Sequence, residues 1–301
     1  MISNPLTTDS GAKFFDNFNY FTGYDPTGGH VHYVPRPHAE QLNLTYATES
    51  AAVVRVDATV GPGDKPDAST GRFSVRLESK RQHDRGLFVF DVAHAPHGCG
   101  TWPALWMASL HNWPLEGEID VMEAANKGDD GNLFSLHTTK GCEMKRRREM
   151  TGVAKQADCY NGTNSNQGCN VAGPRESYGR AFNARGGGVL AVELRDEGIR
   201  MWQFARPDVP RDLAAAAAAP NPASWGTAAA DFPSTDCDVG AHFRNQSIII
   251  NITLCGQLAE AAWGSSGCPG TCVKHVSDNP DAFRDAFWQF NGLRVYKAAR
   301  S

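Results

Sequence analysis

The chain has 301 residues, a formal net charge of −4, 41% hydrophobic and 21% charged residues. That balance excludes a nucleic-acid binder that works by neutralising phosphates, and it excludes a disordered chain. No run approaches the roughly 18 uninterrupted apolar residues of a membrane helix, while 30 Gly and 17 Pro foretell many turns.

The first residues, Met1-Ile-Ser-Asn-Pro-Leu, lack the apolar core of a signal peptide. Residues 1–12 are therefore expected to be a flexible or added extension of a chain whose targeting segment is gone. A cytosolic chain with reduced thiols is the rival reading. His30 and His32 share a face of a predicted strand and, with His38, are weighed as a metal site. Short alternating runs follow, each bounded by turn residues: Ala52-Val-Val-Arg-Val-Asp57, Ser74-Val-Arg-Leu-Glu78 and Gly86-Leu-Phe-Val-Phe-Asp-Val92. Many short strands of this kind predict an all-β sandwich or barrel. His94 and His97 read as an exposed turn.

Next come Trp102, Trp106 and Trp113, three of the seven tryptophans, within the sixteen residues before Glu118. The segment Gly117-Glu-Ile-Asp-Val-Met-Glu123 then sets three carboxylates in a strand-like run. Strict alternation would put Glu118, Asp120 and Met122 on one face and Glu123 on the other. A β-bulge at 121–122 would bring Glu123 onto the face of Glu118 and Asp120. Crowded carboxylates raise one another's pKa, so two glutamates in opposite protonation states become available for glycoside cleavage. Spacing alone also fits a solvated acidic strand or a calcium site. Flat tryptophan faces near paired acids suit a sugar ring. The run ending Leu136-His137-Thr138 is placed as a neighbouring strand, with His137 beside Glu123.

Residues 141–188 show little periodicity, and three cysteines are expected to pin them as a long loop. Within it, Lys145-Arg-Arg-Arg148 reads as a solvated basic run, and Gly186-Gly-Gly188 lacks the lysine of a phosphate loop. A strand is predicted at Ile199–Phe204, a helical turn or surface loop at the alanines 214–219, and a strand at Ser247–Leu254. Asn279–Trp288 predicts a short helix with Phe283 and Phe287 on one face, merging into a final strand over 287–296. Eight cysteines fit up to four disulfides of unassigned pairing, and the pair Cys268 and Cys272 lacks the second half of a zinc site. Sequons at Asn43, Asn161, Asn245 and Asn251 agree with secretion. No composition break marks a second domain, so residues 1–301 read as one.

The segments Gly100-Thr-Trp-Pro-Ala-Leu-Trp106 and Gly117-Glu-Ile-Asp-Val-Met-Glu123, with Gly71-Arg-Phe-Ser-Val-Arg76 and Gly267-Cys-Pro-Gly-Thr-Cys272, resemble glycoside hydrolase family 16. The likeness is to its laminarinase-type, fungal secreted branch. It implies a β-jelly roll of two antiparallel sheets, concanavalin A-like, with a concave substrate cleft and disulfide-pinned loops. It implies a retaining endo-1,3(4)-β-glucanase in which Glu118 is the nucleophile, Glu123 the acid/base and Asp120 the residue that orients Glu118. Trp106, Trp113, His137 and Arg76 match substrate-binding positions, whereas Trp102 is read as supporting core. The expected partner is a β-glucan, with no nucleic acid, membrane or cofactor, and a structural calcium ion is left open. An extracellular monomer is expected. A glucan-binding lectin and a transglycosylase are the other readings. Two positions depart from the family pattern: Gln257-Leu258 stands where Asp-Trp is common, and His32 where Asn is.

Overall fold

The computed structural model describes residues 2–59, 71–215 and 219–298. Two large antiparallel sheets dominate it. One orders the strands Ala230–Pro233, Gly198–Ala205, Gly188–Arg195, Gly86–His94, Phe287–Ala298, Ala52–Arg55 and Thr45–Ala47. Ile2–Asp9, expected to hang free, pairs with Phe287–Ala298 in that same sheet. The other sheet orders Val153–Gln156, Cys169–Ala172, Leu133–His137, Glu118–Glu123, Thr101–Ala108, Ser247–Leu254, Arg76–Ser79 and Phe18–Tyr20. A small third sheet joins Gly23–Tyr24, Val31–Tyr33 and Arg72–Ser74. The predicted two-sheet jelly roll is what the chain forms.

One continuous core lies between the large sheets. Ile119, Val121, Met122, Leu105, Met107 and Ile250 reach it from one side, and Phe88, Phe90, Val192, Trp288 and Phe290 from the other. Each fully buried side chain of this size contributes about 1.5–3 kcal/mol, which is ample for a sandwich of this extent. The two sheets differ in what covers their outer faces. Leu87, Val89, Val189, Ala191 and Trp202 form a second buried cluster under Leu213 and Trp225. Covered on both sides, the Gly86–His94 strand is accordingly apolar almost without a break. Among the described residues no second apolar cluster covers the outer face of the Glu118–Glu123 sheet, which keeps polar side chains. That face stays open to a ligand, with Glu118 and Glu123 partly exposed on it.

Four disulfides tie the loops: Cys99–Cys268, Cys142–Cys237, Cys159–Cys169 and Cys255–Cys272. Cys268 and Cys272 have separate partners, so the short-spaced pair is not a metal knuckle. The 141–188 stretch is less loop-like than its composition predicts. It contributes the strands Val153–Gln156 and Cys169–Ala172 and the helix Gly179–Ala184. The Cys159–Cys169 disulfide fastens the start of the Cys169–Ala172 strand, whose own apolar pattern is too short to read. The predicted helix over 279–288 is replaced by a single 3-10 turn at Pro280–Phe283, because Phe287 already pairs with Arg55 in the sheet. A helix at Cys272–Asp278 was not predicted. Of the alanine run, residues 216–218 lie outside the described residues. His30 faces Ser277, whereas His32 and His38 both pack edge-on to Phe73, so the three do not assemble as a metal site. The basic run is spent on ion pairs of Lys145 with Glu143 and Arg146 with Asp236, and Arg148 lies over Phe232.

Candidate active site

The bulge lies where the carboxylate spacing requires it. Against Thr101–Ala108, Glu118 pairs with Ala108, Ile119 with Met107 and Asp120 with Trp106; the register then skips, so that Met122 meets Leu105 and Glu123 meets Ala104. Val121 is the extra residue. Val121 and Met122 both point into the core, and Glu118, Asp120 and Glu123 share the outer face. The neighbouring strands bring further polar groups to that face. His137 stands directly opposite Glu118, and Asn251 pairs with Ala104 on the far side. Gly168 lets the 169–172 strand approach His137, because a Cβ there would stand 3.0 Å from the imidazole and 2.3 Å from the Leu136 carbonyl oxygen.

Each acid has its own partners. Trp113 Nε1 donates to Glu118 Oε2 at 2.6 Å, and Trp102 Nε1 donates to Glu123 Oε1 at 2.8 Å. His137 Nε2 lies 3.1 Å from Asp120 Oδ2 and 3.8 Å from Glu118 Oε1. Its Nδ1 lies 3.0 Å from Asn166 Oδ1. Oxygen atoms thus face both ring nitrogens, an arrangement that suits the doubly protonated imidazole. Burial opposes that charge, yet the Glu118 carboxylate and then Asp120 outweigh it and push the His137 pKa up to about 10. Burial and the Asp120 charge both push Glu118 and Glu123 upward from the ordinary carboxyl range. Glu118 is the better placed to ionise, since it has the imidazolium at 3.8 Å as well as an indole donor. Glu123 has its indole donor and a more remote cation.

The structure brings Glu118, Asp120, Glu123, His137, Trp106 and Trp113 to one region of the sheet. His137 stands beside Glu118 and Asp120, however, rather than beside Glu123. Antiparallel pairing reverses the order along the chain, which places the end of one strand opposite the start of the next. Trp113 is 45% exposed, so an aromatic face stands at the rim above Glu118. Trp106 is half-buried, with its indole donating to Asn251 Oδ1 at 2.8 Å. Arg76 is buried between the rings of Phe21 and Trp106 and pairs with Glu78 at 3.0 Å, so it stiffens the tryptophan that it adjoins. Trp102 is no mere core residue, because it touches Glu123. Asn251 was missed: its amide joins Trp106, Tyr33 and Thr253, and it is buried. The one available signal was an asparagine inside an otherwise apolar strand. Its sequon is thus a structural residue, whereas Asn43 and Asn245 are exposed. Of the positions departing from the family pattern, Gln257 is exposed in the helix Gly256–Ala261, and His32 lies against Phe73.

Among the described residues, one group presents three potential metal-ligand atoms together: Glu118, Asp120 and His137, within 4.8 Å of one another. The three groups also pair with one another, His137 Nε2 lying between the Asp120 and Glu118 carboxylates.

Comparison with known proteins places this geometry. The family model for an XgeA-like catalytic GH16 domain matches residues 18–296. A probable glycosidase of Schizosaccharomyces pombe is 42% identical over 292 residues, covering 95% of this chain and 67% of that protein. An endo-1,3(4)-beta-glucanase of Arthroderma benhamiae is 39% identical, over 94% of this chain and 62% of its own length. A curated relative from Aspergillus clavatus is covered to only 45%, so the chain spans about half to two thirds of these proteins. Among solved structures, laminarinase 16A of Phanerochaete chrysosporium, with 6-O-glucosyl-laminaritriose in both donor and acceptor sites, superposes with a TM-score of 0.94. It is 40% identical, with 99% of this chain and 100% of that one covered. An elongating GH family 16 beta-1,3-glucosyltransferase gives 0.89 at 36% identity, covering 98% and 99%.

Proposed function

The chain belongs to glycoside hydrolase family 16, and from that premise we propose that it is a retaining endo-β-glucanase acting on β-1,3- or mixed β-1,3/1,4-glucan. The observation that carries the reading is the bulge that turns Glu118, Asp120 and Glu123 onto one open face with an imidazolium among them. Glu118, beside that cation, stays ionised and attacks the anomeric carbon. Glu123, with Oε1 held by the Trp102 indole, protonates the leaving oxygen. The glucosyl–Glu118 ester is then cleaved by a water that Glu123 deprotonates, which restores both acids. Asp120 holds His137, and with it the charge that keeps Glu118 a nucleophile. Trp113 and Trp106 supply flat faces for the sugar rings that flank the broken bond.

Glu118→Gln should abolish release of reducing ends from laminarin while the protein still melts cooperatively. Full activity in that variant sinks the assignment. Proton NMR of the first product formed should show the β-anomer, as double displacement requires.

A second reading, glucosyl transfer, is favoured by the 36% identity to the elongating glucosyltransferase. Hydrolysis and transfer share the glucosyl–Glu118 step and differ only in whether water or a glucan hydroxyl completes it. Products longer than the starting oligosaccharide would identify transfer. Secretion is proposed on the strength of four disulfides with no free cysteine among the described residues, which need an oxidising compartment.

A further inference from the structure

We propose that Asn132 is a positioning residue for Glu123: its side chain replaces the strand partner that the bulge removes. The inference rests on Glu123 as the acid/base. A bulge leaves its extra residue out of the ladder, and orphaned backbone groups in a buried sheet are costly. Pairing to the Leu133–His137 strand lapses between Asp120 and Glu123, where the bulge lies. Asn132, just before that strand and 1% exposed, fills the gap. Its Oδ1 accepts from the Glu123 backbone N–H at 2.9 Å, and its Nδ2 donates to the Val121 carbonyl at 3.0 Å. A side-chain amide thus binds one N–H and one C=O of the bulged strand, as a peptide group of a neighbouring strand would.

The amide is itself held from both sides. Nδ2 also donates to Gln203 Oε1 at 3.1 Å, and Gln203 belongs to the opposite sheet. Gln203 Nε2 in turn donates to the Ser177 carbonyl at 2.6 Å, while the Asn132 backbone N–H donates to Ser177 Oγ at 2.7 Å. The backbone carrying Glu123 is therefore tied through Asn132 to the far side of the sandwich. Glu118 has no such link, because its segment is in regular register with both neighbouring strands. Loss of Asn132 should therefore affect proton donation and spare nucleophilic attack.

The test compares two substrates that differ in their need for an acid. Laminarin has a poor leaving group and needs protonation, whereas a dinitrophenyl β-laminaribioside does not. Asn132→Ala and Asn132→Asp should lower kcat on laminarin by about 10²-fold, with KM nearly unchanged, the size of a misplaced acid. Their glycosylation rate on the activated substrate, read as kcat/KM, should stay within about threefold of wild type. Azide should accelerate turnover of the activated substrate in the variants by replacing the poorly activated water. Asn132→Asp keeps the volume and the acceptor but loses the Nδ2 donor, and it decides the matter if the alanine variant does not fold. Equal losses on both substrates, or laminarin activity near wild type, overturn the proposal. Glu118→Gln, assayed in parallel, separates this outcome from failure of the glycosidase reading, because only that failure leaves Glu118→Gln active.

Discussion

Replacing His137 by Gln removes the cation nearest the proposed nucleophile while leaving an amide that can still meet Asn166. With Nε2 3.8 Å from Glu118 Oε1, a unit charge pair at an effective dielectric of 20 is worth about 4 kcal/mol. At 1.36 kcal/mol per pKa unit, that corresponds to a ceiling of about 3 units on Glu118. Two observations reduce it. The imidazolium is shared with Asp120 at 3.1 Å, and the Glu118 side chain is 16% exposed to screening water. A rise of about 1–2 units remains. The sign follows from charge: losing a neighbouring cation favours the neutral carboxyl, so the Glu118 pKa rises. The assay is kcat/KM on laminarin against pH, whose acid limb reports the group that must be ionised in the free enzyme. In His137→Gln the acid limb should move up by about 1–2 units. The alkaline limb, set by the more remote Glu123, should move less, and the bell should narrow. An acid limb within about 0.3 unit of wild type in a folded variant would refute the charge argument.

Three further outcomes follow from the same geometry. Glu123→Gln should abolish laminarin hydrolysis yet raise the melting temperature. The raised carboxyl pKa contributes stability below the ordinary carboxyl range that is lost as pH climbs through the raised value. The gain, about 2–4 °C per kcal/mol of relief or somewhat less at this length, should therefore be larger near pH 8 than near pH 4 by scanning calorimetry. Gly168→Ala should destabilise by about 2 kcal/mol, because its φ of +63° disfavours a side chain and the Cβ would press on the Leu136 carbonyl and His137. Its acid limb should shift in the same direction as that of His137→Gln. Chemical denaturation should rank the disulfides by loop length: opening Cys99–Cys268, 169 residues apart, should cost about 5 kcal/mol, and Cys159–Cys169, 10 apart, about 3 kcal/mol. Equal midpoints for the two double-serine variants would contradict that ranking.

Fold class and the acid constellation were legible in the linear chain because both rest on local chemistry. Strands of period two and turn residues declare a sandwich wherever they recur. Three carboxylates in six residues can share one face if a bulge turns the last one over, and Val121 is the inserted residue. Resemblance in the flanking tryptophan segments added the family.

What stayed hidden depends on contacts between residues far apart. The Gly86–His94 run is apolar over most of its length because Leu213 and Trp225 help to cover its second face, which nothing within the run announces. Phe287 leaves a helical pattern because Arg55, more than 200 residues earlier, offers it a strand partner. His137 reaches Glu118 rather than Glu123 through antiparallel register, and a one-residue slip would turn it to the other face altogether. Trp102 reads as core until its indole is seen on Glu123. Asn132 looks like an ordinary loop residue until the broken ladder shows what it completes. Local sequence thus determined which side chains carry charge and which segments extend. Tertiary structure alone decided which charges meet, because hydrogen-bond register and desolvation arise only once distant strands lie side by side.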